Sequence, residues 1–295
     1  MSPQEALQQL INALSLGALY ALLALGLAAV FGVLGLLNFA YGELVTIAGY
    51  TMFALQDTGL PLAVVVIIAI AAGVAGSLAM ELIAFRPLRD APFVTVLFSS
   101  FAVAVVVQNL LRQFVSPRPQ GVPPPAWFDS VIPVGPLLVS VQALVTLTAG
   151  LIAVAALATS LQRSRWGLAM RAAAADFETT RLMGARANRI ISLAFALSGL
   201  LASIAGVLWV ARRGTVTPAM GFVPILKAFI AVVIGGLGTL QGAMIGGFVL
   251  AFVEVSLEVL LPSGARPFTD AFSLVIVVSI LYFRPQGLIG RQALA

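Results

Sequence analysis

Residues 163–189 read RSRWGLAMRAAAADFETTRLMGARANR, six arginines together with Asp176 and Glu178. On either side the charge vanishes: residues 130–162 and 190–211 contain no Asp, Glu, Lys or Arg. Two membrane-length apolar segments therefore flank a positively charged loop, which places that loop on the cytoplasmic side of a bilayer. A membrane protein that keeps one such loop is expected to dock something on it.

Composition makes the bilayer the solvent. Of 295 residues 61% are hydrophobic and 9% charged, with a mean hydropathy of +1.08. A soluble domain carries about a quarter charged residues, and no stretch here is polar enough to form one. Residues 1–295 read as a single all-α, polytopic helical membrane domain, since the alternation of a membrane β-barrel is absent. The net charge of +5 is read as arginines anchoring helix ends, with no nucleic-acid surface. The chain has neither cysteine nor histidine. That removes disulfides, thiolate and imidazole metal sites, and Ser-His or Cys-His catalysis, so no catalytic or metal-ligating residue is expected. Residues 1–9 carry Glu5 and no basic residue, unlike a cleavable signal peptide, and the first apolar segment is expected to be retained.

A span needs about 20 apolar residues, and by that measure about nine candidates arise, eight to ten because several are short or glycine-broken. They cover residues 10–30, 40–56, 61–84, 93–111, 137–161, 190–210, 223–240, 242–261 and 268–283. With the arginine loop inside, Arg86, Arg89, Arg284 and Arg291 also fall inside. Arg112, Arg118, Arg212, Arg213, Lys227 and Arg266 fall outside or near that face. This bias follows the positive-inside rule and predicts an external N-terminus and a cytoplasmic C-terminus. Residues 115–136 hold seven prolines and read as an extended extracytoplasmic loop, because such a run cannot span lipid as a helix. Trp127, Trp166 and Trp209 stand where interfacial indoles are expected.

Two segments echo one another: FGVLGLLNFA at 31–40 and IGGLGTLQGA at 234–243. Either chance or an internal duplication explains the match; transporters built from repeats bring corresponding broken helices together near the midplane. In and just after these segments, Asn38, Tyr41, Glu43 and Gln241 are candidate translocation-pathway residues. Glu43 ends an uncharged stretch from residue 6 to 42. An ionised carboxylate in lipid costs several kcal/mol, so it must face protein or water. It either lines the path or satisfies backbone donors at a helix start.

Gly238, Gly242 and Gly246 recur every four residues, a spacing that puts them on one helical face and favours close helix packing. The Phe-Arg-Pro trios at 85–87 and 283–285 read as helix stops, and Glu81, Glu254 and Glu258 as partners of arginines. In the central loop, residues 166–180 read as a short alanine-rich helix ending before Gly184. It either docks in a groove of a cytoplasmic partner or lies on lipid headgroups. No Gly-x-x-x-x-Gly-Lys-Ser/Thr occurs, so ATP cannot be bound here through a P-loop.

Four stretches in this order resemble the permease subunit of branched-chain amino-acid ABC importers, the LivH-like type: VLGLLNFAYGE at 33–43, RPLR at 86–89, LMG at 182–184 and FRPQGL at 283–288. The resemblance covers nearly the whole chain and implies the ABC importer permease fold in a bacterial inner membrane. It implies a homologous second permease subunit, two cytoplasmic ATP-binding subunits that carry ATP and Mg, and a periplasmic substrate-binding protein. It further implies that residues 163–189 are the coupling loop seated on an ATPase subunit, through Ala173, Asp176, Glu178, Arg181 and Gly184. Family members commonly carry histidine where this chain has Tyr41. That departure leaves the substrate open among branched-chain amino acids, amides, urea and other hydrophobic or aromatic compounds.

The expected function is import by alternating access, powered by separate ATPases. Two rivals differ from it in what they require. An ion-gradient-driven secondary transporter or channel needs buried ionisable groups at the midplane, and Glu43 is the candidate. A membrane enzyme needs clustered carboxylates or a metal set, and the sequence shows no such cluster.

Overall fold

The structure is a computed structural model describing residues 3–89, 91–134, 137–184, 186–284 and 286–289. Eleven α-helices are present among them. They are α1 Pro3–Leu34, α2 Tyr41–Leu55, α3 Leu62–Met80, α4 Phe93–Phe114, α5 Val141–Arg163, α6 Arg165–Ala175, α7 Phe177–Leu182, α8 Ala187–Arg213, α9 Phe222–Gly235, α10 Leu240–Leu260 and α11 Thr269–Phe283. Seven helical segments among the described residues are long and apolar enough to cross a membrane. The segments expected at 40–56 and 223–240 form shorter helices, α2 of 15 residues and α9 of 14. At 1.5 Å per residue each reaches only about 20 Å, short of a hydrocarbon core of about 30 Å.

Helix ends follow local chemistry. The first Phe-Arg-Pro trio is not an abrupt stop: α3 runs on through a π-helical turn, Glu81–Phe85, and a 3-10 turn, Arg86–Leu88. Proline tolerates this because a first-turn residue needs no N–H partner. The second trio ends α11 at Phe283; Pro285 and Arg291 lie outside the described residues. The two echoing segments share a backbone device. Gly35 follows α1 with φ +65°, and its counterpart Gly238 precedes α10 with φ +86°. Both are left-handed, where glycine alone is unstrained, and both interrupt a helix.

The chain divides into two compact units, one of residues 1–25, 124–154 and 227–295, the other of residues 26–123 and 155–226. In the second unit α2, α3 and α8 pack closely, and small residues set the spacing. Gly206 of α8 lies on the Val45 backbone, and Gly199 lies against Ser77 and the Gly73 carbonyl. Ser77 Oγ donates to the Phe195 carbonyl at 2.6 Å. Lipid gives no hydrophobic drive between helices, so such close approach and interhelical hydrogen bonds hold them together. The proline-rich stretch begins in this unit as extended chain, with β1 Gln120–Gly121 antiparallel to β4 Thr215–Val216. Val122 donates to the Gly214 carbonyl at 2.8 Å.

In the first unit the later proline-rich residues form a hairpin, β2 Val131–Val134 with β3 Leu137–Ser140. α1 approaches α10 where Gly247 meets the backbone of Tyr20 and Ala21, and α5 where Gly150 meets Ala18. Trp127 and Trp166 are more than half exposed. Trp209 departs from the interfacial expectation: it is buried, with the Arg213 guanidinium 4.8 Å above its ring.

Candidate functional site

The central loop is built on backbone caps. α5 ends at Arg163, and Ser164 turns the chain by accepting a hydrogen bond from Gly167 N at 2.9 Å. Gly167 then lies so close to the Leu161 backbone that a Cβ could not fit. Arg171 donates to the Leu161 carbonyl. α6 thus folds back on the end of α5, with Met170 and Ala173 buried and Trp166 and Leu168 exposed.

The helix expected over 166–180 is instead two. Asp176 takes an extended conformation, φ −157° and ψ 103°, and its carboxylate accepts from Thr179 N at 2.9 Å and from the Thr179 hydroxyl. An aspartate that caps the next turn competes with helix continuation, which is why the break falls there. Glu178 lies within α7, and its side chain is outside the described residues. Arg181 is exposed. Beyond it Leu182 and Met183 are each 84% exposed, and Gly184 turns left-handed at φ +86°. The loop therefore ends in a bare apolar tip beside charged residues.

The polar candidates of the second unit differ in what they touch. Asn38 is buried and makes a turn before α2: its Oδ1 accepts from Ala40 N at 2.9 Å and its carbonyl from Tyr41 N at 3.2 Å. Tyr41 is fully buried with its hydroxyl pressed on Gly26 and without a hydrogen-bond partner. Glu43, in the first turn of α2, is 2% exposed. Its Oε1 accepts from Gln108 Nε2 of α4 at 2.7 Å. Glu43 thus stands at a helix start, and its carboxylate is buried against a side-chain partner from α4. Gln241 stands exposed in the first turn of α10 in the other unit.

The glycine series needs correction. Gly238 sits in the turn before α10, with open space around its Cα, so it packs no helix. The four-residue spacing misled because the helix starts only at Leu240. Gly242 and Gly246 do lie against α9, where added Cβ atoms would meet the backbones of Gly235 and Ala231.

One ionic cluster escaped the sequence reading, and another was expected there. Lys227 of α9 is buried and donates to Glu254 of α10 and, at 2.7 Å, to Asp270 of α11. Tyr20 of α1 donates to the other Glu254 oxygen at 2.7 Å. Glu254 therefore pairs with the chain's single lysine rather than with an arginine; that lone lysine in an apolar stretch was the available signal. Glu81 does pair with an arginine, Arg89. It also accepts from Ser192 Oγ at 3.1 Å, while Arg89 donates onward to Asn188. Among the described residues no group of three His, Cys, Asp or Glu side chains could hold a metal.

The comparison with known families places this charged loop and its apolar helices. Residues 9–282 match the model of the branched-chain amino acid transport system / permease component family. The chain belongs to that family. Members are transport components and not themselves catalysts. This permease is 32% identical over 301 residues to the high-affinity branched-chain amino acid transport system permease protein BraD of Pseudomonas aeruginosa, covering 97% of this chain and 96% of BraD. It is 32% identical over 307 residues to LivH of Escherichia coli K12, with the same coverage. A shorter match of 158 residues, 52% of this chain and 43% of the relative, is 32% identical to the ribose import permease protein RbsC of Escherichia coli K12. No solved structure matches the permease.

Proposed function

We propose that this chain is the transmembrane permease subunit of an ATP-driven, binding-protein-dependent importer in a bacterial inner membrane. Its cargo would be branched-chain or other hydrophobic amino acids, or related small amides. It works by alternating access, with the N-terminus outside and the C-terminus cytoplasmic. ATP and Mg reside on two cytoplasmic ATPase subunits, a homologous second permease completes the membrane part, and a periplasmic binding protein delivers cargo.

The observation that carries this reading is the tip at Leu182 and Met183, apolar, almost fully exposed and ended by a left-handed glycine. Apolar side chains presented this way suit a groove on a partner. Residues 163–189 are then the coupling loop, with Ala173 packed inside it and Asp176, Glu178, Arg181 and Gly184 shaping the docking end. The amino-acid cargo follows the near full-length relatives, BraD and LivH. The shorter ribose-permease match shows related sequence in a permease named for a sugar, so selectivity is assigned chiefly to the binding protein.

One observation favours a second reading. Glu43 is a buried carboxylate joined to Gln108, and an intramembrane ionisable group is the requirement of an ion-gradient-driven secondary transporter or channel.

The test is a pull-down of the tagged chain in mild detergent, with ATPase activity measured on the eluate. Co-purifying ATPase subunits whose hydrolysis rises on adding loaded binding protein support the importer. An isolated chain active only in gradient-driven uptake overturns it.

A further inference from the structure

We infer that Glu81, Arg89, Asn188 and Ser192 form the joint that passes movement of the central loop to α3. This rests on the coupling-loop reading above and names the parts through which that loop acts.

The four residues lie where the loop re-enters the helical core. Asn188 and Ser192 are one turn apart in the first two turns of α8, where the loop passes into that helix. Glu81 begins the π-helical turn that continues α3, and Arg89 follows the 3-10 turn after it. One guanidinium bridges the two elements, donating to Glu81 with one terminal nitrogen and to Asn188 with the other. Ser192 Oγ closes the ring onto the second Glu81 oxygen at 3.1 Å. The Glu81 side chain is 4% exposed and that of Arg89 21%, so water competes weakly for the bonds at Glu81, while the Arg89–Asn188 bond lies at the exposed end of the joint.

Deeper in, the same two helices have no slack. The Phe85 and Phe195 rings sit 5.3 Å apart, and Ser77 Oγ holds the Phe195 carbonyl at 2.6 Å. Gly199 is wedged on Ser77, and Gly73 lies under the Ser203 hydroxyl. A displacement entering at Asn188 is therefore carried by α8 and α3 as a packed pair. The part assigned to yield is the π turn between Met80 and Arg86, since such turns are rare within helices and recur at functional sites. An arginine is required because only its planar fork can bind the carboxylate and the amide together; lysine would keep the charge and lose the bridge.

The experiment uses the assembled importer in proteoliposomes with loaded binding protein, measuring uptake and hydrolysis together. Arg89→Lys and Asn188→Ala both retain a cation beside Glu81 and are chosen for that reason. The expected result is that each lowers uptake per ATP hydrolysed by about fivefold or more, the lower end of ordinary coupling between sites. The single reversal Arg89→Glu is expected to lose more, and the exchange Glu81→Arg with Arg89→Glu to recover part of that larger loss. A binding-protein-responsive wild type with both single variants at wild-type uptake per ATP overturns the joint and leaves the coupling loop standing. A wild type whose hydrolysis ignores loaded binding protein overturns the proposed function and the joint with it.

Discussion

Lys227 and Glu254 form a buried ion pair between α9 and α10, each side chain 7% exposed. A second carboxylate, Asp270, joins from α11 with its side chain 75% exposed. The pair is enclosed on one side by Tyr20, whose hydroxyl donates to Glu254. Removing one member of a buried pair leaves the other charge uncompensated, which costs about 3–5 kcal/mol. Lys227→Met is therefore expected to lower the thermal midpoint of the purified protein in detergent, and adding Glu254→Gln to recover much of the loss. A single variant as stable as the wild type would contradict the buried assignment.

Tyr41 fills the space left by Gly26. Its hydroxyl is buried with no partner, so Tyr41→Phe removes an unsatisfied polar group and is expected to be neutral or stabilising. Gly26→Ala would place a methyl on that hydroxyl and is expected to cost about 1–3 kcal/mol by overpacking. The double variant should lose less than Gly26→Ala alone. Melting curves of the three proteins check the sign and the coupling.

At the loop, Asp176→Ala removes the cap of α7 and is expected to cost about 1 kcal/mol locally. The signature is faster amide exchange over α7, with α5 and α8 unaffected. Uniformly faster exchange would place Asp176 in a global role instead.

Gly184→Val forces a β-branched residue to φ +86°, with strain of about 1–2 kcal/mol. Because the space around Gly184 is open, the protein should still fold and assemble. Stimulation of hydrolysis by loaded binding protein should fall, as it should on reversing Asp176 and Glu178 to lysine. Normal stimulation in all these variants would count against the coupling-loop assignment.

Glu43→Gln separates the two transport readings. Glutamine can keep the hydrogen bond to Gln108, so the fold should persist. Under the importer reading ATP-driven uptake continues and is indifferent to collapse of ion gradients. Wild-type uptake that falls when the ion gradient collapses, and is abolished by Glu43→Gln, would move the mechanism to Glu43.

The sequence by itself determined the solvent, the helical class, the charged loop and the places where helices are interrupted. These are properties read along one dimension: composition, runs of apolar residues, clustered arginines, and glycines or prolines that end a helix. Gly184 at a break was legible for that reason. The end of α6 at Asp176 was not, because capping and continuation compete within one short alanine-rich stretch. Only the tertiary structure decided which polar groups meet. Lys227 finds Glu254 27 residues away and Asp270 43 residues away, and Glu43 finds Gln108 65 residues away. In water, a helix announces its inward face by being apolar there alone. In lipid the outward face is equally apolar, so periodicity no longer says which side packs inward, and only three-dimensional packing assigns the partners.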